Sequence, residues 1–168
     1  MLTIALPKGR IADETLDRFE KAFGEKFVFE DRKLILEKSG FKFLNVRNQD
    51  VPTYVMHGAA DLGVVGLDVL EEKEYDLIKL LDLKLGRCKV AFGLRAGEKL
   101  NFDKSKITIA TKHEKIAKKY FEQKAMAVEI IKLYGSIELA PLVGLCDCIV
   151  DIVETGETMK QNGLEVGP

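Results

Sequence analysis

The two halves of this chain carry the same order of elements, and that repeat limits the fold more than any single motif does. Near the start, Leu2-Thr3-Ile4-Ala5 is followed by Lys8 and a helical pattern, ADETLDRFEKAF. Past the middle, Ile107-Thr108-Ile109-Ala110 is followed by Lys112 and a second helical pattern, EKIAKKYFEQKA. Apolar residues recur at three- and four-residue spacing in both: Leu16, Phe19 and Phe23, then Ile116, Tyr120 and Phe121. Each helix leads to a strand-like run, LILE (34–37) and VEIIKLY (128–134). Then VPTYVMHGAADLGVV (51–65) and ELAPLVGLCDCIV (138–150) each read as a short helix closed by glycine. In both, two residues separate that glycine from an Asp that opens an apolar strand: Gly58-x-x-Asp61 and Gly144-x-x-Asp147.

The order of elements carries more weight than the matching letters. Short apolar runs alternating with helices predict an α/β fold whose mainly parallel sheets are covered on both faces. Two similar lobes around a cleft follow, with ligands at the strand ends. The pattern switches near 85–100, which predicts lobe 1 over 1–88, rejoined by 162–168, and lobe 2 over 89–161.

Composition narrows the function. Lys plus Arg (26) nearly balances Asp plus Glu (27), so no general attraction to nucleic acid or anionic lipid is expected. Mean hydropathy near zero, no signal peptide and no long apolar run argue against a membrane protein. Three cysteines, Cys88, Cys146 and Cys148, are read as reduced thiols of a cytoplasmic protein. Cys146-Asp-Cys148 lacks a second ligand pair, so no metal site is assigned.

Candidate anion contacts begin with Lys8, Gly9 and Arg10, which follow a strand and open a helix, where backbone N–H groups favour an anion. Asp31-Arg32-Lys33 precedes a strand, and Arg47 ends FKFLNVR ahead of Asp50, a candidate helix cap. Nothing in the spacing shows that these arginines converge. His57 and His113 have no Ser or Cys partner at a recognisable spacing, and HExxH, CxxC and GxxxxGK[ST] are absent. Without an obvious nucleophile or base, charge stabilisation of a leaving group becomes the central chemistry.

The stretch DIVETGETMKQNG (151–163) poses the opposite problem, because Asp151, Glu154 and Glu157 crowd a strand-to-helix joint suited to phosphate. Thr155 as N-cap and Glu157 in the first turn satisfy any helix start. Asp151 is different, because a carboxylate inside an apolar strand needs a partner.

The segments LPKGRI, DVPTYVMHGAADLGVVGLDVL, LYGSIELAPLVGLCDCIVDIVETG and T-x-x-x-NGL together resemble ATP phosphoribosyltransferase, more closely the catalytic subunit of its short form. The resemblance covers nearly the whole chain in order. It implies a periplasmic-binding-protein type II-like fold and the first step of histidine biosynthesis. In that step N1 of the adenine of ATP displaces pyrophosphate from C1 of phosphoribosyl pyrophosphate (PRPP), with Mg2+ carried by the pyrophosphate. By the same matching, Glu154, Thr155, Gly156, Glu157 and Thr158 form the PRPP loop, and Asp151 and Glu154 lie near the ribose. Arg10 and Arg32 match catalytic arginines that neutralise the pyrophosphate and the ATP phosphates. Lys8, Gly9 and Arg47 line the same cleft, and Ser136 is placed for a phosphate or ribose contact. In the family the chain continues past NGL and returns to the first lobe. The short form implies a homodimer within a hetero-oligomer, with a separate regulatory subunit resembling histidyl-tRNA synthetase. Two rival readings are a non-catalytic solute-binding or sensor module of the same fold, and a phosphoribosyltransferase with another acceptor.

Overall fold

The computed structural model describes residues 1–167. The chain divides into two compact units, one over Met1–Gly86 and one from Arg87 onward. Each is a sheet with helices on both faces.

In the first unit β1 (Leu2–Pro7) runs into α1 (Arg10–Phe23), then into β2 (Ile35–Lys38) and β3 (Phe41–Val46). A 3-10 turn at Asn48–Asp50 leads to α2 (Val51–Met56), β4 (Leu62–Gly63) and α3 (Leu67–Lys73). The strand order is β2-β3-β1-β4, with β1 parallel to both β3 and β4. Period-two alternation splits β1 between two cores. Ile4 and Leu6 join Phe43 against Ala12 and Leu16 of α1, while Ala5 meets Val51 and Ala60 on the other face. Phe19 stands edge-on to Phe27, Phe41 and Phe43 with centroids 5.0–6.0 Å apart, so an aromatic cluster closes the α1 face.

The second unit holds β5 (Lys89–Arg95), β6 (Ile107–Thr111), α4 (Glu114–Gln123), β7 (Val128–Lys132) and α5 (Leu139–Leu142). It continues with β8 (Cys148–Val153), α6 (Glu157–Gln161) and β9 (Leu164–Val166). The order is β7-β6-β8-β5-β9, and β6 is parallel to β7 and β8. Ile107, Ile109, Cys148 and Val150 pack on Ala117 and Phe121 of α4. Ala110, Ile149 and Val153 pack on Ile137, Ala140, Met159 and Leu164 behind them. Gly93 is required on β5, because a Cβ there would lie 2.6 Å from Cγ1 of Ile149.

The repeat extends to single hydrogen bonds. Thr3 N–H donates to Oδ2 of Asp61 (2.8 Å) and Asp61 N–H returns a bond to the Thr3 carbonyl (2.9 Å). Thr108 and Asp147 make the same pair at 2.8 and 2.9 Å. The Asp of each Gly-x-x-Asp therefore fastens the start of its own strand to the first strand of the repeat. Gly58 and Gly144 precede these clamps with φ of 71° and 75°.

Three expectations need correction. LILE is not the counterpart of VEIIKLY; β3 is, since β3 and β7 are the parallel partners of β1 and β6. β2 is an added antiparallel edge strand, joined to β3 by the tight turn at Ser39-Gly40. Nor does 162–168 rejoin the first lobe within the described residues, because β9 pairs antiparallel with β5, from Gly93↔Val166 to Arg95↔Leu164. Leu164 is buried in the second core, which holds the segment there. Pro168 lies outside the described residues. Asp50 does precede α2, but its side chain makes no cap bond.

Burial pushes the Cys148 thiol up to about 12 and raises Cys146 as well, so both behave as small apolar groups. No helix among the described residues is long and apolar enough to cross a membrane.

Asp147 has a further partner, Lys104 Nζ at 2.6 Å from Oδ1. That hydrogen bond, followed by the one from Thr108 N–H, holds the carboxyl below the usual aspartate range. A depressed folded value means the stabilisation is present above the unfolded value and is lost as pH falls through the folded one. Asp147→Ala is expected to lower unfolding free energy by about 2 kcal/mol at neutral pH, with the gap to the parent closing in acid. Urea unfolding across that range measures it, and a gap independent of pH refutes an ionised clamp.

Candidate active site

In each sheet the three parallel strands point the same way, so their turns into helices gather at one edge. Such carboxyl-end edges are where open α/β sheets bind ligands.

The first unit places its basic candidates along this edge. Lys8 and Gly9 link β1 to α1, and Lys8 N–H donates to the Val46 carbonyl at 2.8 Å, which seats Arg47 beside them. Arg32 arrives from the other direction. β2 is antiparallel to β3 with Ile35 opposite Leu44, and Asn45 N–H donates to the Leu34 carbonyl (2.9 Å). The residues just before β2 therefore flank the carboxyl end of β3. Arg32 occupies the turn closed by Lys33 N–H to the Glu30 carbonyl (3.0 Å), with φ of 54°. A left-handed non-glycine residue costs roughly 1 kcal/mol and often marks a functional position.

Arg10 is the first residue of α1, and its Nε donates to Oε1 of Glu14 at 2.6 Å. The guanidinium side chain is 61% exposed. An exposed i,i+4 pair is worth about 0.5 kcal/mol, so a phosphate can displace it. Lys8, Arg10, Arg32 and Arg47 are all exposed. They come from three separated segments, and strand register brings the segments together. The sequence left that convergence open.

The second unit gathers a different chemistry at the same edge. Asp151 sits near the end of β8, half-buried, with Oδ1 accepting a hydrogen bond from Ile152 N–H at 2.8 Å. Across the parallel pair, His113 follows β6 and brings Nε2 to 3.9 Å from Oδ1 of Asp151. The two side chains are only 14% and 17% exposed. Sequence reasoning passed over this histidine, because it sought a Ser or Cys partner rather than a carboxylate on the next strand. The register of Thr111 opposite Val150 is what creates the meeting.

Beyond Val153 the chain forms the Glu154–Gly156 turn into α6, a helix of 5 residues. Gly156 rather than Thr155 is the N-cap; the Thr155 hydroxyl instead accepts from Glu157 N–H at 3.3 Å. Gly156 has φ of 79°, which favours glycine, and a Cβ there would lie 3.0 Å from Val166 Cγ2, a tight contact that the valine side chain would have to yield to. Thr155, Glu157 and Thr158 are exposed, as is Glu154. Ser136 lies between β7 and α5, exposed, with φ of 49°. The second edge thus combines hydroxyls, carboxylates and a glycine turn, whereas the first is cationic. Among the described residues, no three His, Cys, Asp or Glu side chains stand together as a metal site.

The family model for ATP phosphoribosyltransferase (HisG) matches residues 47–167. A protein of Wolinella succinogenes named ATP phosphoribosyltransferase is 71% identical over 99% of this chain and 81% of its own length. Among solved structures, the ATP phosphoribosyl transferase (HisG:HisZ) complex from Thermotoga maritima superposes with a TM-score of 0.80. That match has 39% identity and covers 100% of this chain and 82% of the other. A protein bound to L-arginine, Tv2483, has a TM-score of 0.58 at 16% identity over 98% of this chain and 71% of its own. That likeness shows the fold alone, which is periplasmic-binding-protein type II-like, as the family resemblance implied. With the family model matching from residue 47 to 167 and 71% identity to the Wolinella succinogenes protein over 99% of the sequence, this chain belongs to the ATP phosphoribosyltransferase family.

Proposed function

We propose that this chain is the catalytic subunit of a short-form ATP phosphoribosyltransferase. It transfers the phosphoribosyl group of PRPP to N1 of the adenine of ATP and releases pyrophosphate, the first step of histidine biosynthesis. The observation that carries the reading is family membership over nearly the whole chain.

The chemistry follows from what those residues supply. The N1 lone pair forms the new bond to C1, and the electrons of the breaking C1–O bond leave with pyrophosphate. Such an oxocarbenium-like transition state needs alignment and leaving-group stabilisation more than proton removal. Mg2+ travels on the pyrophosphate as part of the substrate. Arg10 and Arg32 take the charge that builds on the pyrophosphate, with Lys8, Gly9 and Arg47 completing the anion contacts. In the other unit Thr155, Gly156 and Thr158 hold the 5-phosphate, and Asp151 and Glu154 accept from ribose hydroxyls. Ser136 adds a phosphate or ribose contact, and Glu157 favours the start of α6. The reaction takes place in the cytoplasm.

A homodimer working with a separate regulatory subunit resembling histidyl-tRNA synthetase completes the assembly; the similarity to a HisG:HisZ complex from Thermotoga maritima supports the partner subunit. The second reading, a solute-binding or sensor module without catalysis, draws on the fold shared with the L-arginine-bound protein.

Incubating the chain with PRPP, ATP and Mg2+, with and without the partner subunit, and following phosphoribosyl-ATP separates these readings. Product is expected in both mixtures, faster with the partner, and inhibited by histidine only when the partner is present. PRPP binding without product in either mixture overturns the enzymatic reading.

Arg10→Ala and Arg32→Ala are each expected to lower kcat about 100-fold while thermal unfolding barely moves, since both side chains are exposed. Unchanged turnover in either purified variant removes that residue from the chemistry.

Gly156→Ala is expected to raise KM for PRPP about tenfold and to destabilise the fold by about 1 kcal/mol. The clash with Val166 and the positive φ both act on the loop. Steady-state kinetics with ATP saturating reads the first effect; a variant whose KM is unchanged despite lower stability shows that the loop does not bind PRPP.

A further inference from the structure

We infer that His113 is a positioning residue for the transfer: it fixes the Asp151 carboxylate so that one oxygen faces the ribose. The inference rests on the ribose role proposed for Asp151. Its structural basis is separate, and lies in how the imidazole is held.

His113 stands on a backbone fixed from both sides. Its N–H donates to Oγ1 of Thr111 at 2.9 Å, and Thr111 is fully buried. Its carbonyl accepts from Ala117 N–H at 2.9 Å, the first turn of α4. With the backbone so fixed and the side chain only 14% exposed, little beyond the side-chain torsions remains to be ordered on making a further contact. His113 approaches the carboxylate through Nε2, which lies 3.9 Å from Oδ1. That is longer than a hydrogen bond, but within the range that closes when a substrate orders the site.

Asp151 shows the other half of the arrangement. Alternation along β8 puts it on the face of Ile149 and Val153, opposite Ala91 of β5. A small neighbour leaves room above the carboxylate. Oδ1 already accepts from Ile152 N–H at 2.8 Å. With His113 also directed at Oδ1, the second oxygen is the one presented to a sugar hydroxyl. A half-buried carboxylate that can rotate would spend part of its time turned away from the ribose, and a donor on Oδ1 removes that freedom.

The test compares His113→Phe, His113→Gln, Asp151→Asn and the His113→Phe/Asp151→Asn double variant in the PRPP, ATP and Mg2+ assay, each checked for folding by thermal unfolding. Phe keeps the ring volume without a donor, and Gln restores a neutral N–H donor near the position of Nε2. Expected are a rise of about tenfold in KM for PRPP in His113→Phe, an unchanged KM for ATP, and recovery of most of the loss in His113→Gln. In the Asp151→Asn background, His113→Phe should add little. Wild-type KM in His113→Phe, equal damage in the Gln variant, or full additivity in the double variant overturns the inference. If Asp151→Asn itself leaves KM for PRPP unchanged, the ribose role of Asp151 falls, and the positioning role falls with it. If Asp151→Asn is impaired while His113→Phe is not, only the histidine is excluded.

Discussion

Everything else in this structure depends on parallel pairing around one central strand in each unit, β1 in the first and β6 in the second. A parallel neighbour cannot follow by a tight turn, so each pair demands a crossover, and α1 and α4 supply the first crossover of each repeat. The crossovers bury both faces of the central strand, which is why Ile4, Ala5 and Leu6 are all inaccessible, and Ile109 and Ala110 likewise. The same constraint sends every turn from these strands into the next helix toward one edge. Function at that edge is a consequence of topology before any particular side chain is considered.

The Gly-x-x-Asp clamps show what the repeat conserves in physical terms. A parallel strand that enters from a short helix has no hairpin to set its register. The Asp side chain and main chain together bond both the N–H and the C=O of a threonine on the central strand. Two hydrogen bonds to one residue fix register where a one-residue slip would send Ile4 and Ala5 to exchanged faces. The added strands β2, β5 and β9 run antiparallel and need no such device.

Much of this was legible in the sequence because it is periodic. The repeat of strand, helix and Gly-x-x-Asp is local pattern, and so were the helices, the two-sided strands and the glycine turn at Gly156. Pairing choices were not. LILE and FKFLNV are both acceptable strands by composition, and only the sheet shows which is the parallel partner of β1. For the same reason the expectation that 162–168 rejoins the first lobe fails, since a strand of three residues, 164–166, carries no record of its neighbour. At the site, the residue types at each turn were readable. The gathering of Lys8, Arg32 and Arg47 was not, because it is set by the register of β2, β3 and β1. His113 escaped notice for a related reason: its carboxylate lies on an adjacent strand and far along the chain.

The two repeats share a scaffold yet differ in charge where they meet a ligand, and that difference answers the puzzle of acids at a phosphate turn. The edge of the first unit is built from Lys8, Arg10, Arg32 and Arg47, and Arg10 carries a surface pair with Glu14. The edge of the second presents Asp151 and Glu154 beside the hydroxyls of Thr155 and Thr158. A bare anion would be repelled by such carboxylates and would favour the cationic edge. A sugar phosphate is different, because its hydroxyls need acceptors while its phosphate takes N–H and O–H donors. On the proposed reading, carboxylates beside a glycine turn accept from sugar hydroxyls while the N–H and O–H donors of the same turn take the phosphate, so one turn serves both parts of a sugar phosphate.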